Sequence, residues 1–157
     1  LRYIVEIMRT IGSGKIEVFM DRYLFGSPAR AFLLGIVLTS IVQSSSVTTS
    51  IVVPLVGAGI LGIEQIFPYT LGANIGTTAT ALLASLVTGS FFAVQVAFAH
   101  LVFNLIGAVI WYPLRVLPLS LAKWFGKLAA ERHFLTIVYV GVIFFLVPLI
   151  LIITVGR

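Results

Sequence analysis

Cysteine is absent from the 157 residues, which excludes disulfide frameworks, thiolate metal sites and cysteine nucleophiles together. Charge is scarce as well: Asp, Glu, Lys and Arg make up 10% of the chain, against roughly 25% in an ordinary soluble domain. The other side of that scarcity is a 60% hydrophobic content. No soluble fold of this size has the interior to hide so much apolar surface, so lipid is the natural solvent. Acidic residues are rarer still, and Glu6, Glu17, Asp21, Glu64 and Glu131 all fall outside the apolar stretches. A proton-coupled carrier normally needs a buried carboxylate or histidine relay. No carboxylate qualifies, which leaves His100 as the alternative relay beside a simpler reading as an interhelical hydrogen-bonding residue. The net charge of +5 does not indicate a nucleic-acid partner, because the cations flank apolar stretches rather than cluster on a solvated face. The chain opens on Leu1 without a signal-peptide pattern, and a piece of a longer polypeptide is expected.

What is present reads as an all-α integral membrane protein forming one membrane domain. Residues 1–30 alternate charge with Ile4, Val5, Met8, Ile11, Ile16, Phe19 and Met20 at near-helical spacing, broken at Gly12 and Gly14. This predicts a pair of interfacial amphipathic helices, with a linker as the alternative. Residues 31–61 are apolar but interrupted by Gln43-Ser44-Ser45-Ser46 and by Thr48, Thr49 and Ser50. As one helix they would be about 46 Å long, well over a hydrocarbon core of roughly 30 Å; as two halves of about 18–22 Å, neither crosses. A re-entrant helical hairpin with its tip near mid-depth satisfies both limits, with Pro54 bending the returning arm. Residues 66–87 form a span in which Gly72-Ala73-Asn74-Ile75-Gly76-Thr77-Thr78 predicts an unwound stretch, that is, a discontinuous transmembrane helix. Residues 91–112 are a further span carrying His100 and Asn104 on one face. Residues 113–133 form an interfacial amphipathic helix through Leu117, Leu121, Trp124, Phe125 and Leu128. Residues 134–156 are the last span, kinked at Pro148. Trp111, Tyr112 and Trp124 read as interfacial anchors.

Charge tests the hairpin. If residues 31–61 enter and leave on one side, Arg2, Arg9, Lys15, Arg22, Arg30, Arg115, Lys123, Lys127 and Arg132 share a face and only Arg157 lies opposite. A single crossing splits the same nine residues five and four. The positive-inside rule favours the hairpin and makes that face cytoplasmic; the membrane expected is the plasma membrane, or the inner membrane of a bacterium. Two full crossings give the same count, so the arm lengths carry most of the argument.

The polar tip and the polar break would together supply four half-helix ends at mid-depth. The N-terminal ends, near Ser45 to Val47 and near Gly76 to Thr77, present unpaired N–H groups suited to an anion. The C-terminal ends, near Ile41 to Gln43 and Leu71 to Asn74, present carbonyls suited to a hard cation such as sodium. Broken-helix transporters are built this way; the competing reading is that the hydroxyls are ordinary interhelical hydrogen bonders.

At these residues the chain resembles a known family. Thr39-Ser40-Ile41-Val42-Gln43-Ser44-Ser45-Ser46-Val47, Gly72-Ala73-Asn74-Ile75-Gly76-Thr77-Thr78, Gln95 to Asn104, Trp111-Tyr112-Pro113 and Leu117-Pro118 are similar to the type II sodium–phosphate cotransporters. In that family the Gln-Ser-Ser-Ser motif occurs once in each of two inverted repeats, and this chain resembles the second repeat. The resemblance implies phosphate held by Ser44, Ser45 and Ser46, and a sodium site built from Gln43, Ser44, Thr77 and Thr80. With the half-helix ends included, the expected phosphate set is Ser44, Ser45, Ser46, Gly76 and Thr77, and the sodium set Gln43, Ser44, Asn74, Thr77 and Thr80. It implies no cofactor beyond sodium as coupling ion. The implied partners are phosphate, sodium, the bilayer, a missing first repeat and an oligomer. The implied activity is sodium-coupled phosphate symport by alternating access, not catalysis. A sodium-coupled carrier of another small anion is the nearest alternative. A channel would need a continuous polar pore. An intramembrane serine hydrolase using a motif serine with His100 lacks a Gly-flanked nucleophile turn.

Overall fold

The computed structural model describes residues 18–155, all of whose regular elements are helical. The amphipathic pattern expected for residues 1–30 thus lies mostly outside the described residues; its described part includes a π-helical turn at Met20–Leu24. The chain divides into two units, Leu1–Arg115 and Val116–Arg157.

The first unit holds four helices: α1 (Pro28–Val42), α2 (Ser45–Gly57), α3 (Ile63–Thr88) and α4 (Phe91–Trp111). Each boundary has a local cause. Ser27 caps α1 by accepting from the Arg30 N–H at 3.3 Å, and Pro28 occupies the first helical turn, where no intrahelical N–H bond is lost. The helix ends at Gln43, which turns left-handed (φ 58°) while its N–H bonds the Thr39 carbonyl at 2.7 Å. Ser44 then caps α2 by accepting from the Val47 N–H at 3.3 Å. Gly89, at φ +63°, closes α3, and Ser90 caps α4. Phe25 and Ala31 at the start of α1 share a buried cluster with Val52 and Leu55 of α2 and Tyr69 of α3. The chain has therefore reversed at Gln43-Ser44, and α1 and α2 form a helical hairpin where the polar cluster predicted one.

The hairpin lies against α3 in a fixed register. Gly35 of α1 meets Tyr69 and Ala73, Gly72 of α3 meets Phe32 and Ile36, and Gly76 meets Ile36 and Thr39. Positions rise together along both helices, so α1 and α3 run parallel. α3 is about 39 Å long and each hairpin arm about 20–22 Å. Continuing the register by one turn from Thr39 beside Gly76 brings the Gln43-Ser44 tip level with Thr80, partway along α3.

One expectation is overturned. The span over residues 66–87 is not discontinuous: α3 is helical without interruption from Ile63 to Thr88. Gly72 and Gly76 do not unwind it. They remove side chains where the α1 backbone passes, in the small-x-x-x-small pattern that lets membrane helices approach closely. A Cβ built on Gly72 would collide with the Phe32 carbonyl, and one on Gly76 would sit 2.7 Å from the Ile36 carbonyl and 2.8 Å from Thr39 Cβ. The four half-helix ends accordingly reduce to two, both at the hairpin tip.

The second unit comprises α5 (Val116–Glu131), α6 (His133–Gly141) and α7 (Val147–Val155), with a π-helical stretch at Val142–Leu146 joining the last two. Phe125 of α5 packs on Tyr139 of α6, ring centroids 4.3 Å apart. The π-helical stretch lies immediately before Pro148, whose ring would crowd the Phe144 carbonyl in a regular helix; widening the turn relieves that clash. Three helical stretches are long and apolar enough to cross a membrane: Ile63–Thr88, Phe91–Trp111 and Phe134–Val155. Pro28–Val42 and Ser45–Gly57 are shorter.

Candidate functional site

The tip of the α1–α2 hairpin gathers Gln43, Ser44, Ser45 and Ser46 at the end of one helix and the start of the next. Gln43 is the only non-glycine residue with positive φ among the described residues. A left-handed glutamine is strained by roughly 1–2 kcal/mol, which glycine would avoid, and such outliers concentrate at functional sites. Its side chain is exposed, as is that of Ser46, while Ser44 and Ser45 are half-buried. Among the described residues, the Ser45 and Ser46 hydroxyls and their backbone N–H groups make no hydrogen bond. Four donors are therefore available at the positive end of α2.

Behind the tip lies a buried hydroxyl relay. Thr48 Oγ1 lies 3.2 Å from the Ser44 carbonyl and 3.1 Å from the Ser45 carbonyl, and its single proton is directed there. Thr39, whose Oγ1 is 3.0 Å away, consequently donates to Thr48. Tyr69 of α3 donates its phenolic proton to the Thr48 carbonyl at 3.1 Å. Thr39, Thr48 and Tyr69 are at most 1% exposed. This relay ties both arms to each other and to α3, one turn behind the motif serines.

Beside the hairpin, α3 presents the remaining residues. Thr77 Oγ1 donates to the Ala73 carbonyl at 3.1 Å and Thr80 Oγ1 to the Thr77 carbonyl at 2.7 Å. A hydroxyl whose proton is held by its own helix offers lone pairs outward, which suits a cation better than an anion. Asn74 is exposed, on the face of α3 opposite Gly72. Gly76 lies within the helix, buried against α1. The α3 register thus brings Thr80 level with the tip, whereas Asn74, Gly76 and Thr77 lie one to two turns below it. Among the described residues no cluster of three His, Asp or Glu side chains forms, so the oxygens gathered here are neutral. His100 lies on α4, where its backbone carbonyl accepts the Asn104 side-chain amide at 3.2 Å, an intrahelical bond.

Tyr69 and Gly35 were not singled out by the sequence reading. No signal marked the first: Tyr69 is the fourth residue of the span read over 66–87, where a tyrosine reads as an ordinary interfacial anchor. Tyr69→Phe leaves the Thr48 carbonyl without this partner and is expected to destabilise the chain by about 1 kcal/mol. Thermal unfolding of the detergent-solubilised protein measures it; unchanged melting would show that the phenol does not tie α2 to α3.

A profile of the Na+/Pi-cotransporter family matches residues 1–150. The sodium-dependent phosphate transport protein 2C of Mus musculus is 49% identical over 160 residues, covering 93% of this chain and 27% of that protein. Protein 2B of Bos taurus is 47% identical over 124 residues, covering 76% of this chain and 18% of the relative. Protein 2A of Oryctolagus cuniculus is 45% identical over 126 residues, covering 75% and 19%. The chain therefore spans between 18% and 27% of the length of these relatives. No solved structure matches it. With the profile aligned over nearly all of its residues, the chain belongs to the Na+/Pi-cotransporter family.

Proposed function

We propose that the chain supplies one half of a sodium-coupled phosphate transporter working by alternating access, and that its hairpin is re-entrant. The observation that carries this reading is the hairpin tip, a capped helix N-terminus with four available donors, level with the outward lone pairs of Thr80 partway along a spanning helix. Relatives named as sodium-dependent phosphate transport proteins support the substrate and coupling ion. Ser45 and Ser46 bind phosphate with their hydroxyls and N–H groups. Ser44, whose Oγ already accepts from Val47, turns its remaining lone pair to sodium and donates its proton to phosphate where the two ligands meet. Gln43, Thr77 and Thr80 offer oxygens to sodium, so Thr77 serves the cation rather than the anion; Asn74, on the face of α3 turned away from the hairpin, does not join them. Gly76, whose amide lies inside α3, contributes by bringing α1 against it.

The test of the function is a chimera in which this chain replaces the corresponding segment of the mouse 2C protein. Expressed in cells, it is expected to take up radiolabelled phosphate only with sodium outside; uptake indifferent to sodium would refute the reading. In the same chimera Ser45→Ala is expected to weaken phosphate more than sodium, and Thr80→Ala the reverse. A lost hydrogen bond to a charged ligand is worth about 1.5–3 kcal/mol, roughly ten- to hundredfold in affinity. Unchanged affinities for both ions in both variants would show the site to lie elsewhere. Sulfate competition in the same assay separates phosphate from another small anion.

Re-entrance makes a separate prediction. The start of α1, the end of α2, the start of α3 and the end of α4 lie at one end of the first unit, and the α3–α4 turn at the other. Single cysteines can be placed on this cysteine-free chain without background. Cysteines at Lys15 and Lys123 are expected to react with an impermeant maleimide from the cytoplasmic side, and one at Thr88 from the opposite side. Lys15 and Lys123 reacting from opposite sides would rule out a re-entrant hairpin.

A further inference from the structure

A cleft of about 390 Å³ opens between α1, α3 and α4, far down the helices from the hairpin tip. Its walls are Pro28 and Phe32 of α1, Leu71 and Ile75 of α3, and Leu105 and Tyr112 at the C-terminal end of α4. Almost nothing polar lines it, so it offers no recognition to a soluble polar ligand, and it opens beside the exposed Leu105 and Val109 of α4. In water such a groove would be costly; in a bilayer it is filled by hydrocarbon.

Charge distinguishes the two ends of this groove. At the end where Pro28 and Tyr112 meet, the Arg115 guanidinium lies 5.5 Å from the Tyr112 ring centroid. The N-terminus of α1 opens at the same place, adding the positive end of a helix dipole. Two further cations, Arg22 and Arg30, lie on the other side of α1, where Arg30 Nη1 donates to the Arg22 carbonyl at 3.4 Å. The acidic residues nearest in sequence to these walls are Asp21, seven positions before Pro28, and Glu64, seven positions before Leu71 in the first turn of α3. The groove is therefore apolar along its length and cationic at one mouth. Those are the two requirements of a phospholipid with an anionic headgroup: a slot for an acyl chain and a positive group at headgroup depth.

We infer that this cleft is an anionic-phospholipid site, with an acyl chain between Phe32, Ile75 and Leu105 and the headgroup phosphate on Arg115 beside the α1 N-terminus. The inference goes beyond the transport reading and requires only that the chain sits in a bilayer.

Tryptophan quenching tests it. The chain has two tryptophans, Trp111 and Trp124; replacing both by phenylalanine and introducing Tyr112→Trp leaves a single reporter in the cleft wall. The whole chain is reconstituted in equimolar phosphatidylcholine and phosphatidylglycerol at low salt, with bromine on the chains of one lipid or the other. Brominated phosphatidylglycerol is expected to associate about fivefold more strongly than brominated phosphatidylcholine, the preference one cation near the surface provides. Arg115→Gln is expected to bring the ratio close to one, and Ala108→Phe, which fills the groove, to reduce quenching by both lipids. Circular dichroism verifies that each variant is helical. A ratio near one with Arg115 intact, or a preference that survives Arg115→Gln, would overturn the proposal. Quenching unmoved by Ala108→Phe would overturn it too, as would weak quenching by both lipids because residues 1–17 or a second copy cover the cleft.

Discussion

Gly72→Leu is expected to separate the hairpin from α3 and lower the melting temperature of the solubilised chain by roughly 6–12 °C. The reason is what the new side chain would meet. A Cβ at this position lands on the carbonyl of Phe32, with the Ile36 nitrogen 3.2 Å away. Both obstacles are backbone, so no rotamer change relieves them and α1 must move bodily outward. Overpacking a core costs typically 1–3 kcal/mol when side chains can adjust, and about 3 kcal/mol is the expectation where they cannot. In a domain of this size each kcal/mol corresponds to roughly 2–4 °C. Moving α1 also parts Thr39 from the position it holds beside Gly76, which loosens the buried relay through Thr48 and Tyr69. Gly107→Leu is the control. Among the described residues, apart from the neighbouring residues and backbone of its own helix, no heavy atom lies within 4 Å of a Cβ there. Replacing a helix-interior glycine by leucine at an open position gains about 0.5–1 kcal/mol of helix propensity. The two substitutions therefore differ in sign, although they make the same chemical change in helices of similar character. Circular-dichroism melting in detergent reads both. If Gly72→Leu melted with the unsubstituted protein, the close α1–α3 contact would not exist in solution.

These glycines also mark where the sequence could be read and where it could not. The hairpin was legible because two independent quantities agreed: a polar cluster at Gln43 to Ser46, and arms too short to cross. The reversal came out at Gln43-Ser44, with helices of 15 and 13 residues on either side. The spans expected over 91–112 and 134–156 were legible because unbroken apolar runs bounded by Gly, Pro and charge leave little choice. The matching helical stretches are Phe91–Trp111 and Phe134–Val155, both long and apolar enough to cross a membrane. The break expected at Gly72 to Thr78 failed because glycine has two uses in a membrane helix. It weakens the helix, and it also lets another helix approach, and one sequence cannot display both outcomes. The choice is made by a residue more than 30 positions away, Gly35, whose missing side chain completes the contact. A finer reading of phase was available: Gly72 and Gly76 point one way around α3 while Asn74 points the other. A true break would expose polar backbone on all sides, whereas glycines on one face and polar residues on another indicate two different neighbours. The cation site we propose rests on the same intact helix. Thr77 and Thr80 were identifiable as oxygen donors, but which of their lone pairs and protons face outward depends on the bonds to Ala73 and Thr77, and those follow from the helix being intact.

Reconstituted alone, the chain is expected to show no sodium-dependent phosphate accumulation above that of empty liposomes. The argument begins with α3. One face carries Tyr69, Gly72, Ala73 and Gly76 against the hairpin. Another, at the same 3.5-residue spacing, carries Thr70, Asn74, Thr77, Ala81, Ala84 and Thr88, all small or polar, none of them buried. An exposed asparagine amide at the depth of a spanning helix costs several kcal/mol in hydrocarbon unless another element satisfies it. Small and polar residues in such a row are what helix–helix interfaces in membranes use. The hairpin tip carries the same signature, with the Ser45 and Ser46 donors and the Gln43 side chain unmet. The site we propose is therefore open along one side. Alternating access requires a second element that closes the opposite side when this one opens, and in inverted-repeat carriers that element enters from the other face of the membrane. A second copy of the chain could serve only if inserted upside down. With nine of its ten cations on one face in the re-entrant topology, every copy should insert the same way. Parallel copies would bring two hairpins into the same leaflet and leave the other half of the pathway unbuilt. Liposomes containing only this polypeptide, loaded with a sodium gradient and radiolabelled phosphate outside, decide the matter. Accumulation that collapses with the sodium gradient would show the chain to be a complete carrier and would end the half-transporter reading, while the site residues at the tip would stand.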